Sequence, residues 1–371
     1  MTEKIASVEV FGVAVPLVGG GFKNAYLTKT VQKSAVVRIT SANGATGLGN
    51  IDPSPGYSIE TIDQSLAALR GTLAAAVAGM DALNVHAVLA RLDGCMEGFF
   101  DAKAAIEMAC VDLAARVYGV PVSTYLGGAV REEFLFNAWI GIVSPDEAAA
   151  EAKKWFDHGF RSAKIKVGGN IEADRDRVKA VREAVGTGMA LRIDANAGYD
   201  VPTSIKLARL MVPFELQLIE QPVAAEDIEG LARVRREAGG VPIMADEAIV
   251  DHRTLVDVIR AGAADIVKLK VMKNGGFLRT QRMAATAEAA GMRVVIGHGF
   301  GLGVNTMAEI QFASTSMNIL DGLECVGPLK TSDDITTEKL DLSSGRLTLR
   351  ASAPGLGVAL DESKLERYRF G

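Results

Sequence analysis

Short strands and amphipathic helices alternate strictly from residue 134 onward, and this alternation restricts the fold more than any other feature. Each unit combines a short apolar strand, a turn of glycine or polar residues, and a helix of roughly 10 to 15 residues. We predict eight strands, at residues 135–141, 162–167, 190–194, 217–220, 242–246, 265–269, 293–297 and 322–326. Such alternation implies parallel strands joined by right-handed crossovers. About eight successive units favour a closed (β/α)8 barrel of the TIM type, with an open doubly wound sheet as the alternative.

The first third of the chain has a different pattern. Residues 5–15 and 34–40 alternate in the manner of strands, and the glycine-rich Gly19-Gly20-Gly21 lies between them. Apolar residues at helical spacing follow over residues 61–92 and 102–118. The sequence therefore predicts three parts. They are an α+β domain over residues 1–125, the barrel over residues 126–326, and a C-terminal segment over residues 327–371 that returns to the α+β domain.

Composition and charge exclude several classes of function. The formal net charge is −5 and the pI is about 5.6, so no positive field attracts nucleic acid or an anionic membrane, and we expect a small-molecule partner. Cys95, Cys110 and Cys325 form no C-x-x-C pair, which indicates reduced thiols in the cytoplasm. The N-terminus has no signal-peptide pattern, and no apolar run reaches the roughly 18 residues of a membrane-spanning helix. We expect a soluble cytoplasmic protein.

Three successive predicted strands end in a carboxylate. Asp194, Glu220 and Asp246 follow one another at equal intervals of 26 residues, one β/α unit each. In a barrel these side chains lie on neighbouring strands at the carboxyl-terminal mouth, where such enzymes carry out their chemistry. Three anions this close need a cation, and an all-oxygen ligand set suits Mg²⁺, with Mn²⁺ as the alternative, better than zinc.

For each of these carboxylates the alternative role is a helix N-cap, which Asp often provides. Three acids in register favour the metal site, because charged side chains are rarely buried without a partner. Asn196 and Glu247 stand beside the first and third carboxylates and are candidates to orient ligands or substrate. A solvated position is the alternative for both.

Two lysine pairs lie on two other predicted strands. Lys164 and Lys166 are two residues apart, so both side chains point to the same face of the second strand. Lys268 and Lys270 form a similar pair at the end of the sixth strand. Strands two and six of eight are diametrically opposed, so the two pairs are predicted to face each other across the metal site.

A lysine accepts a proton at neutral pH only if its ammonium form is disfavoured. A neighbouring ammonium has this effect, and Lys164 would supply it for Lys166. A proton next to a carboxylate is very weakly acidic, so a metal on the carboxylate oxygens is needed to stabilise the enolate as it forms. A solvated strand end is the alternative for a single lysine pair. Two opposed pairs beside three carboxylates favour proton transfer.

Five motifs together resemble the enolase superfamily and, within it, the muconate lactonizing enzyme subgroup. They are Ala163-Lys164-Ile165-Lys166, Ile193-Asp194-Ala195-Asn196, Ile219-Glu220-Gln221-Pro222, Met244-Ala245-Asp246-Glu247 and Lys270-Val271-Met272-Lys273-Asn274-Gly275-Gly276. Gly327-Pro328-Leu329 and Gly355-Leu356-Gly357 are further matches. The resemblance covers essentially the whole chain and identifies the α+β domain as a capping domain.

The resemblance implies roles for individual residues. It implies that Asp194, Glu220 and Asp246 bind Mg²⁺ and that Lys166 and Lys270 are the acid/base groups on opposite faces of the substrate. Lys164 would help to hold the substrate carboxylate. The loops at residues 20–26 and 50–57 would correspond to the two capping loops that close over the substrate. Family members form homo-oligomers, so a dimer or an octamer is expected.

The ends of the seventh and eighth predicted strands bear on the choice of reaction. Glu324 resembles the cycloisomerases of the family, and the Asp-x-Asp of dipeptide epimerases is absent there. His298 occupies the place of the catalytic histidine of mandelate racemases, but Lys270 stands where its aspartate partner would be. A structural role is the alternative for this histidine. The candidate substrate contacts are Lys23, Tyr26, Tyr57, Lys164, Asn196, Lys268, His298 and Glu324.

We predict an isomerase that removes a proton next to the carboxylate of a small substrate through a metal-stabilised enolate, giving cycloisomerisation, racemisation or epimerisation. The alternatives within this chemistry are a racemase, epimerase or dehydratase of an amino-acid or proline derivative, the last of which is a lyase. A Schiff-base aldolase with a lysine of strand six as nucleophile is a second enzymatic hypothesis. A catalytically silent metabolite-binding barrel is the hypothesis from another class.

Overall fold

An antiparallel sheet and a layer of helices form the first part of the chain. The computed structural model describes residues 2–23, 28–56, 58–349 and 353–371. The strands are β1 (Ile5–Pro16), β2 (Phe22–Lys23), β3 (Thr28–Lys29), β4 (Val31–Ser41) and β5 (Thr46–Ile51). The helices are α1 (Ile62–Ala68), α2 (Ala74–Val77), α3 (Val85–Cys95), α4 (Phe100–Tyr118) and α5 (Val122–Tyr125), with a π-helical stretch at Leu69–Leu73. Strands β1, β4 and β5 pair in that order, and β2 pairs with β3.

Helix α4 packs against β5, and two glycines of the strand permit this contact. A Cβ atom on Gly49 would lie 1.9 Å from the backbone oxygen of Ala105, and one on Gly47 would lie 2.0 Å from that of Ala109. Only glycine allows two backbones to approach so closely. The contact fixes the end of β5 and therefore the path of the segment that follows it, which contains Asp52.

Seven parallel strands form the wall of a barrel. After the short strand β6 (Glu133–Leu135), the wall strands are β7 (Asn137–Ile140), β8 (Ser162–Lys166), β9 (Ala190–Asp194), β10 (Leu218–Glu220), β11 (Ile243–Ala245), β12 (Ile266–Leu269) and β13 (Arg293–Ile296). They pair in chain order. The helices are α6 (Pro145–Asp157), α7 (Ile171–Val185), α8 (Val201–Met211), α9 (Ile228–Glu237), α10 (His252–Ala261), α11 (Phe277–Ala289) and α12 (Gly303–Ala313). The predicted barrel with an N-terminal α+β unit is confirmed.

The eighth position of the wall differs from the prediction. Residues 322–326 form no regular strand, because Gly322 has a φ of 82° and α13 (Gly327–Lys330) begins directly after the segment. The segment still closes the barrel. The amide of Glu324 donates to the carbonyl of Ile296 at 3.0 Å, and the amide of Asn137 donates to the carbonyl of Leu323 at 2.9 Å.

The first predicted strand, residues 135–141, divides into β6 and β7. The reason is that β6 pairs outside the barrel wall with β14 (Arg346–Thr348), whereas β7 pairs with β8. The last helix is α14 (Glu362–Arg367). Among the residues that the structure describes, no helix is long and apolar enough to cross a membrane.

Hydrogen bonds connect the N-terminal sheet with both later parts of the chain. The amide of Ser332 donates to the carbonyl of Pro16 at 2.8 Å. The amide of Phe370 donates to the carbonyl of Gly12, also at 2.8 Å. The carboxylate of Glu107 on α4 accepts from the first two amides of α11, at 2.8 Å each. The C-terminal segment therefore lies against the N-terminal sheet. The domain boundaries given above stay a prediction.

Candidate active site

Three carboxylates lie side by side at one mouth of the barrel. Asp194 and Glu220 are the last residues of β9 and β10 and are paired in register, and Asp246 directly follows β11. All three side chains are fully buried. Equal spacing in the sequence thus corresponds to neighbouring strands in space. We call these three side chains the carboxylate row.

Lysine ammonium groups lie between the members of the carboxylate row. Lys164 Nζ on β8 is 3.2 Å from Asp194 Oδ2 and 3.0 Å from Glu220 Oε2. From β12, Lys268 Nζ is 3.1 Å from Glu220 Oε1 and 3.9 Å from Asp246 Oδ2. Strands β8 and β12 flank the three strands that carry the row, so the two lysine pairs face each other across Glu220.

The two ends of the carboxylate row are each bound by a further lysine. Lys166 Nζ donates to Asp194 Oδ2 at 2.6 Å, and Lys270 Nζ donates to Asp246 Oδ1 at 2.5 Å. Lys273, which follows β12, donates to the backbone oxygen of Asp246 at 2.8 Å. One lysine therefore stands at each end of the row.

Glu324 connects the inner lysines with the segment that closes the barrel. Its carboxylate accepts from Lys164 Nζ at 2.5 Å, from Lys268 Nζ, and from Arg192 Nη1 at 3.1 Å. Arg192 is fully buried on β9 and also donates to the backbone oxygen of Gly322 at 2.8 Å. This arginine was not predicted as a site residue. Its position two residues before Asp194 was a usable signal, because residues two apart share a strand face.

The surrounding charges separate the pKa values of the row. Burial alone would raise the pKa of Asp194, but Lys166 and the lysines beside it outweigh burial and hold that pKa below its ordinary value. At Glu220, burial and the neighbouring Asp194 charge raise the pKa to about 8. Burial also opposes ionisation of Asp246, yet Lys270 and its neighbours bring that pKa well below the usual range. The two ends of the row therefore carry its charge most firmly.

The chemistry of the carboxylate row fits a hard divalent cation. Three carboxylates offer only oxygen donors, which Mg²⁺ and Mn²⁺ prefer. Among the described residues no three acidic, histidine or cysteine side chains converge closely enough to hold a metal ion. The ammonium group of Lys164 bridges Asp194 and Glu220, and it supplies the positive charge that a metal would otherwise bring. The donor set fits a metal, and binding one requires this ammonium group to move aside.

Asn196 and Glu247 connect Lys166 with the carboxylate row. Asn196 Oδ1 accepts from Lys166 Nζ at 2.6 Å, and its Nδ2 donates to Glu247 Oε1 at 3.1 Å. The Asn196 amide donates to Asp194 Oδ1 at 2.9 Å, with a φ of 44° that asparagine tolerates better than most residues. Both Asn196 and Glu247 are buried, so the solvated alternative for them does not hold. Asn196 orients a lysine and a carboxylate together.

His298 connects the barrel mouth with the N-terminal domain. Its Nε2 is 2.6 Å from Asp52 Oδ1 in the segment after β5, and its Nδ1 is 3.3 Å from Glu309 Oε1 on α12. Burial alone would lower the pKa of His298, but these two carboxylates raise it to about 10. An imidazolium held between two carboxylates has no free lone pair for a proton, which favours the structural alternative for this residue.

The outer wall of the pocket, meaning Lys29, Lys330, Phe300 and Trp139, combines a side chain of the N-terminal domain with side chains of the barrel. Lys29 Nζ is 3.4 Å from the centre of the Phe300 ring. Lys330 Nζ is 4.4 Å from that centre and 4.4 Å from the centre of the Trp139 ring. The pocket has an empty volume of about 940 Å³, part of it open to solvent, and both predicted lysine pairs, His298 and Glu324 line it. Neither Lys29 nor Lys330 was predicted as a site residue.

Several predicted substrate contacts lie where the structure gives no side chain. Tyr26 and Tyr57 are outside the described residues, and so is the side chain of Lys23. The predicted capping loops, residues 20–26 and 50–57, are therefore described only in part. Within the second loop, Asp52 and Ser54 line the pocket.

Known proteins resemble the chain over nearly its whole length. The family model described as "Mandelate racemase / muconate lactonizing enzyme, N-terminal domain" matches residues 5–127, and the one described as "Enolase C-terminal domain-like" matches residues 147–364. N-succinyl-L-Arg/Lys racemase of Bacillus cereus is 31% identical over 364 residues, which are 98% of this chain and 97% of that protein. Muconate cycloisomerase 1 of Rhodococcus opacus is 32% identical over 368 residues, 98% of each.

Solved structures of relatives share the fold. N-succinyl Arg/Lys racemase from Bacillus cereus has a TM-score of 0.94 at 30% identity, covering 99% of this chain and 98% of that one. A dipeptide epimerase from Enterococcus faecalis, complexed with Mg and the dipeptide L-Leu-L-Tyr, has a TM-score of 0.91 at 30% identity, covering 96% and 99%. The racemase, the epimerase and the cycloisomerase are all isomerases. This chain is therefore an isomerase of the enolase superfamily and belongs to its mandelate racemase/muconate lactonizing enzyme family.

Proposed function

We propose that this isomerase removes the proton next to the carboxylate of a small substrate and returns a proton to the enolate, which gives an isomer of the substrate. The observation that carries the proposal is the buried carboxylate row with lysine pairs on the opposed strands β8 and β12. Racemisation, epimerisation and cycloisomerisation share a proton transfer next to a carboxylate. The proposal therefore specifies this step and leaves the identity of the product to experiment.

Asp194, Glu220 and Asp246 are the proposed ligands of Mg²⁺, with Mn²⁺ as an alternative. One solved relative contains Mg, and the oxygen-only donor set of this chain supports the same metal here. When bound, Mg²⁺ would neutralise negative charge that develops on the substrate carboxylate.

Lys166 and Lys270 are the proposed acid/base groups. They stand at opposite ends of the carboxylate row, so that one takes a proton from one face of the substrate and the other returns a proton to the opposite face. The Asn196 side chain holds Lys166 Nζ, and the Asn274 side chain accepts from the backbone amide of Lys270 at 2.8 Å. Both lysines are therefore held in place before a substrate arrives.

Lys164 and Lys268 are proposed to hold the substrate carboxylate from two sides. Glu324 contacts both ammonium groups, and Arg192 contacts Glu324 from below on β9. This arrangement keeps two positive charges near the barrel axis, where the enolate charge would develop. Glu324 thus acts through the two lysines that it positions.

Solvent exchange tests the proposal directly. A panel of small carboxylates is incubated with the protein in deuterated water, and incorporation of deuterium next to the carboxylate is followed by mass spectrometry. We expect incorporation that requires Mg²⁺ and is lost when Lys166 and Lys270 are both changed to Ala. Lys153→Ala is the matched control, because Lys153 is an exposed lysine on α6 that forms an ion pair with Asp157. Incorporation that survives EDTA and the double variant would contradict the proposal.

Location and assembly are further proposals. Three free cysteines, two of them buried, support a reducing cytoplasmic location. The family resemblance supports a homo-oligomer, either a dimer or an octamer. Light scattering on the purified protein measures the mass and distinguishes these assemblies from a monomer.

A further inference from the structure

A buried ion pair lies on the first turns of α7, beside the barrel mouth. Asp174 is fully buried and Arg177 is 5% exposed, and Arg177 Nη1 donates to Asp174 Oδ1 at 2.6 Å. Neither side chain lines the pocket. Burial strips water from both charges, so such a pair stabilises a fold only when further hydrogen bonds satisfy its remaining atoms. The other partners of this pair therefore indicate what it does.

Those partners are backbone groups at the carboxyl ends of two wall strands. Both oxygens of Asp174 accept from the amide of Gly168, at 3.3 and 3.1 Å. Arg177 Nη1 also donates to the backbone oxygen of Lys166, the last residue of β8, at 3.3 Å. Arg177 Nε donates to the backbone oxygen of Val143, which follows β7, at 2.7 Å. The pair therefore holds the backbone from which the Lys166 side chain extends.

Tyr199 joins a third strand to the pair. Its hydroxyl donates to Asp174 Oδ2, and its amide donates to the backbone oxygen of Pro222 at 3.1 Å. Tyr199 ends the turn after β9 that carries Asn196, and the Asn196 side chain accepts from Lys166 Nζ at 2.6 Å. Asp174 therefore bonds both to the backbone next to Lys166 and to the turn that supplies a side-chain partner of Lys166.

The turn after β9 needs such support. Asn196 and Ala197 are consecutive residues other than glycine, with φ of 44° and 58°. Left-handed backbone at such residues raises the energy of a turn and persists only where surrounding contacts hold it. The bond from the Tyr199 hydroxyl to Asp174 is one of these contacts. We expect the turn, and with it Asn196, to shift when the Asp174 carboxylate is lost.

The opposite end of the carboxylate row is held by other means. The neutral Asn274 accepts from the backbone amide of Lys270 at 2.8 Å, and its Nδ2 donates to the backbone oxygen of Val250 at 3.2 Å. Among the described residues, Asp174 and Arg177 form no hydrogen bond or ion pair with β12 or with the segment after it. The two acid/base lysines therefore depend on separate supports.

We propose that Asp174 and Arg177 are positioning residues for Lys166, and that they set the rate of proton transfer on one face of the substrate only. They act through the backbone of Lys166 and through the turn that carries Asn196. The inference rests on the proposed function, which assigns Lys166 to one face and Lys270 to the other. A displacement of about 1 Å at a reacting group costs up to about a hundredfold in rate, so loss of the pair should be measurable in kcat.

Asp174→Asn tests the inference against Asp112→Asn, a matched change in another part of the molecule. Asp112 on α4 is also fully buried and pairs with Arg116 at 2.9 Å. It likewise accepts from backbone amides, those of Leu48 at 2.8 Å and Leu356 at 2.6 Å. Both variants remove a buried charge from an aspartate–arginine pair on a helix. A merely structural role of Asp174 would make the two variants behave alike.

The kinetic readout is deuterium incorporation into each enantiomer separately, with Lys166→Ala identifying the enantiomer that depends on Lys166. In Asp174→Asn we expect kcat for that enantiomer to fall about tenfold or more, with KM and the exchange of the other enantiomer within about threefold of the unmodified protein. Tyr199→Phe removes a single hydroxyl and should show the same asymmetry to a smaller extent. Asp112→Asn should show none. An equal fall for both enantiomers in Asp174→Asn overturns the inference.

Amino-group labelling gives a second readout that requires no reaction. The intact protein is treated with a trace of acetic anhydride, and mass spectrometry gives the labelling of Lys166 relative to Lys270. In Asp174→Asn this ratio should rise about threefold or more, because loosening at the end of β8 exposes the ammonium group of Lys166. Asp112→Asn should leave the ratio unchanged. An unchanged ratio in Asp174→Asn, or in Tyr199→Phe where Asp174→Asn fails to fold, overturns the inference.

The two readouts separate this inference from the proposed function. A raised labelling ratio in Asp174→Asn, in a protein without solvent exchange, supports the positioning of Lys166 and overturns the proposed function. Solvent exchange that falls equally for both enantiomers in Asp174→Asn overturns the inference and supports the proposed function. For a substrate that exchanges on one face only, the labelling ratio decides.

Discussion

The carboxylate row and the outer wall deal with buried charge in opposite ways. At the row, positive and negative groups alternate, with Lys164 between Asp194 and Glu220. At the outer wall, Lys29 and Lys330 lie against an aromatic ring and near further cations. At the row, opposite charges offset one another directly, whereas at the outer wall the face of an aromatic ring contacts both ammonium groups. The difference teaches that lysines of one pocket can be stabilised by carboxylates in one place and by aromatic rings in another.

Removal of the metal is expected to have the largest effect, and to act through the row alone. EDTA should reduce solvent exchange to near the uncatalysed background, because the lysines alone then have to offset the enolate charge without the divalent cation, and added Mg²⁺ should restore the exchange. Glu220→Gln should abolish Mg²⁺ binding in a calorimetric titration. Lys330→Met should leave the Mg²⁺ affinity within about twofold of the unmodified protein. A loss of Mg²⁺ affinity in Lys330→Met as large as in Glu220→Gln would show that the two regions are not separate.

Loss of either acid/base lysine is expected to lower kcat by about 10²- to 10⁴-fold, the usual contribution of a positioned proton-transfer group. Isomerisation should fall by this factor in Lys166→Ala and in Lys270→Ala, since one lysine takes a proton from one face of the substrate and the other lysine returns a proton to the opposite face. In a racemisation, each variant should still exchange the proton of one enantiomer. The measurement is deuterium incorporation into each enantiomer separately, with Lys153→Ala as the control. Equal loss from both enantiomers in both variants would contradict the assignment of one lysine to each face.

The row could be predicted from the sequence because its geometry repeats. Strand alternation and the 26-residue interval determine which side chains reach the barrel mouth, and the spacing of Lys164 and Lys166 determines their shared face. The outer wall could not be predicted in this way. Lys29 comes from β3 of the N-terminal domain and Lys330 from α13 after the closing segment, and no local periodicity relates these positions to the barrel.

The closing segment shows a second limit of sequence reasoning. Residues 322–326 have the apolar character of a strand, and they do bond to both neighbouring wall positions. The φ of 82° at Gly322 and the immediate start of α13 depend on the path of the surrounding chain. Sequence reasoning therefore predicted the position of Glu324 in the wall but not the irregular backbone that carries it.

His298→Asn should mainly affect stability, because His298 lies between the two regions and contacts Asp52 and Glu309. At pH 6 we expect a loss of about 3 kcal/mol in the free energy of unfolding, since the two carboxylates are left buried without their cation. The pKa of His298 is raised from an ordinary 6.5 to about 10. Its stabilisation is therefore complete below about pH 6.5 and is lost as the pH rises through about 10.

Urea unfolding of His298→Asn and the unmodified protein at pH 6 and pH 10.5 checks this prediction. The difference between the two proteins should shrink at the higher pH, and kcat at neutral pH should change by less than about fivefold, because an imidazolium is not the base. A stability difference that does not depend on pH would contradict the charged state of His298. A hundredfold loss of kcat would instead identify His298 as a catalytic base.

The smallest effect is expected for Asn196→Gly, which removes a side chain that holds Lys166 beside the row. Glycine adopts the φ of 44° without strain, so the variant reports the loss of the amide group rather than a change of backbone. We expect kcat to fall about tenfold, in the range seen when groups that orient metal ligands are lost. Because Asn196 Oδ1 accepts from Lys166 Nζ at 2.6 Å, exchange of the enantiomer that depends on Lys166 should fall more than exchange of the other. An equal fall for both enantiomers would mean that Asn196 acts through Asp194, to whose carboxylate its amide donates, and that the two ends of the row are coupled.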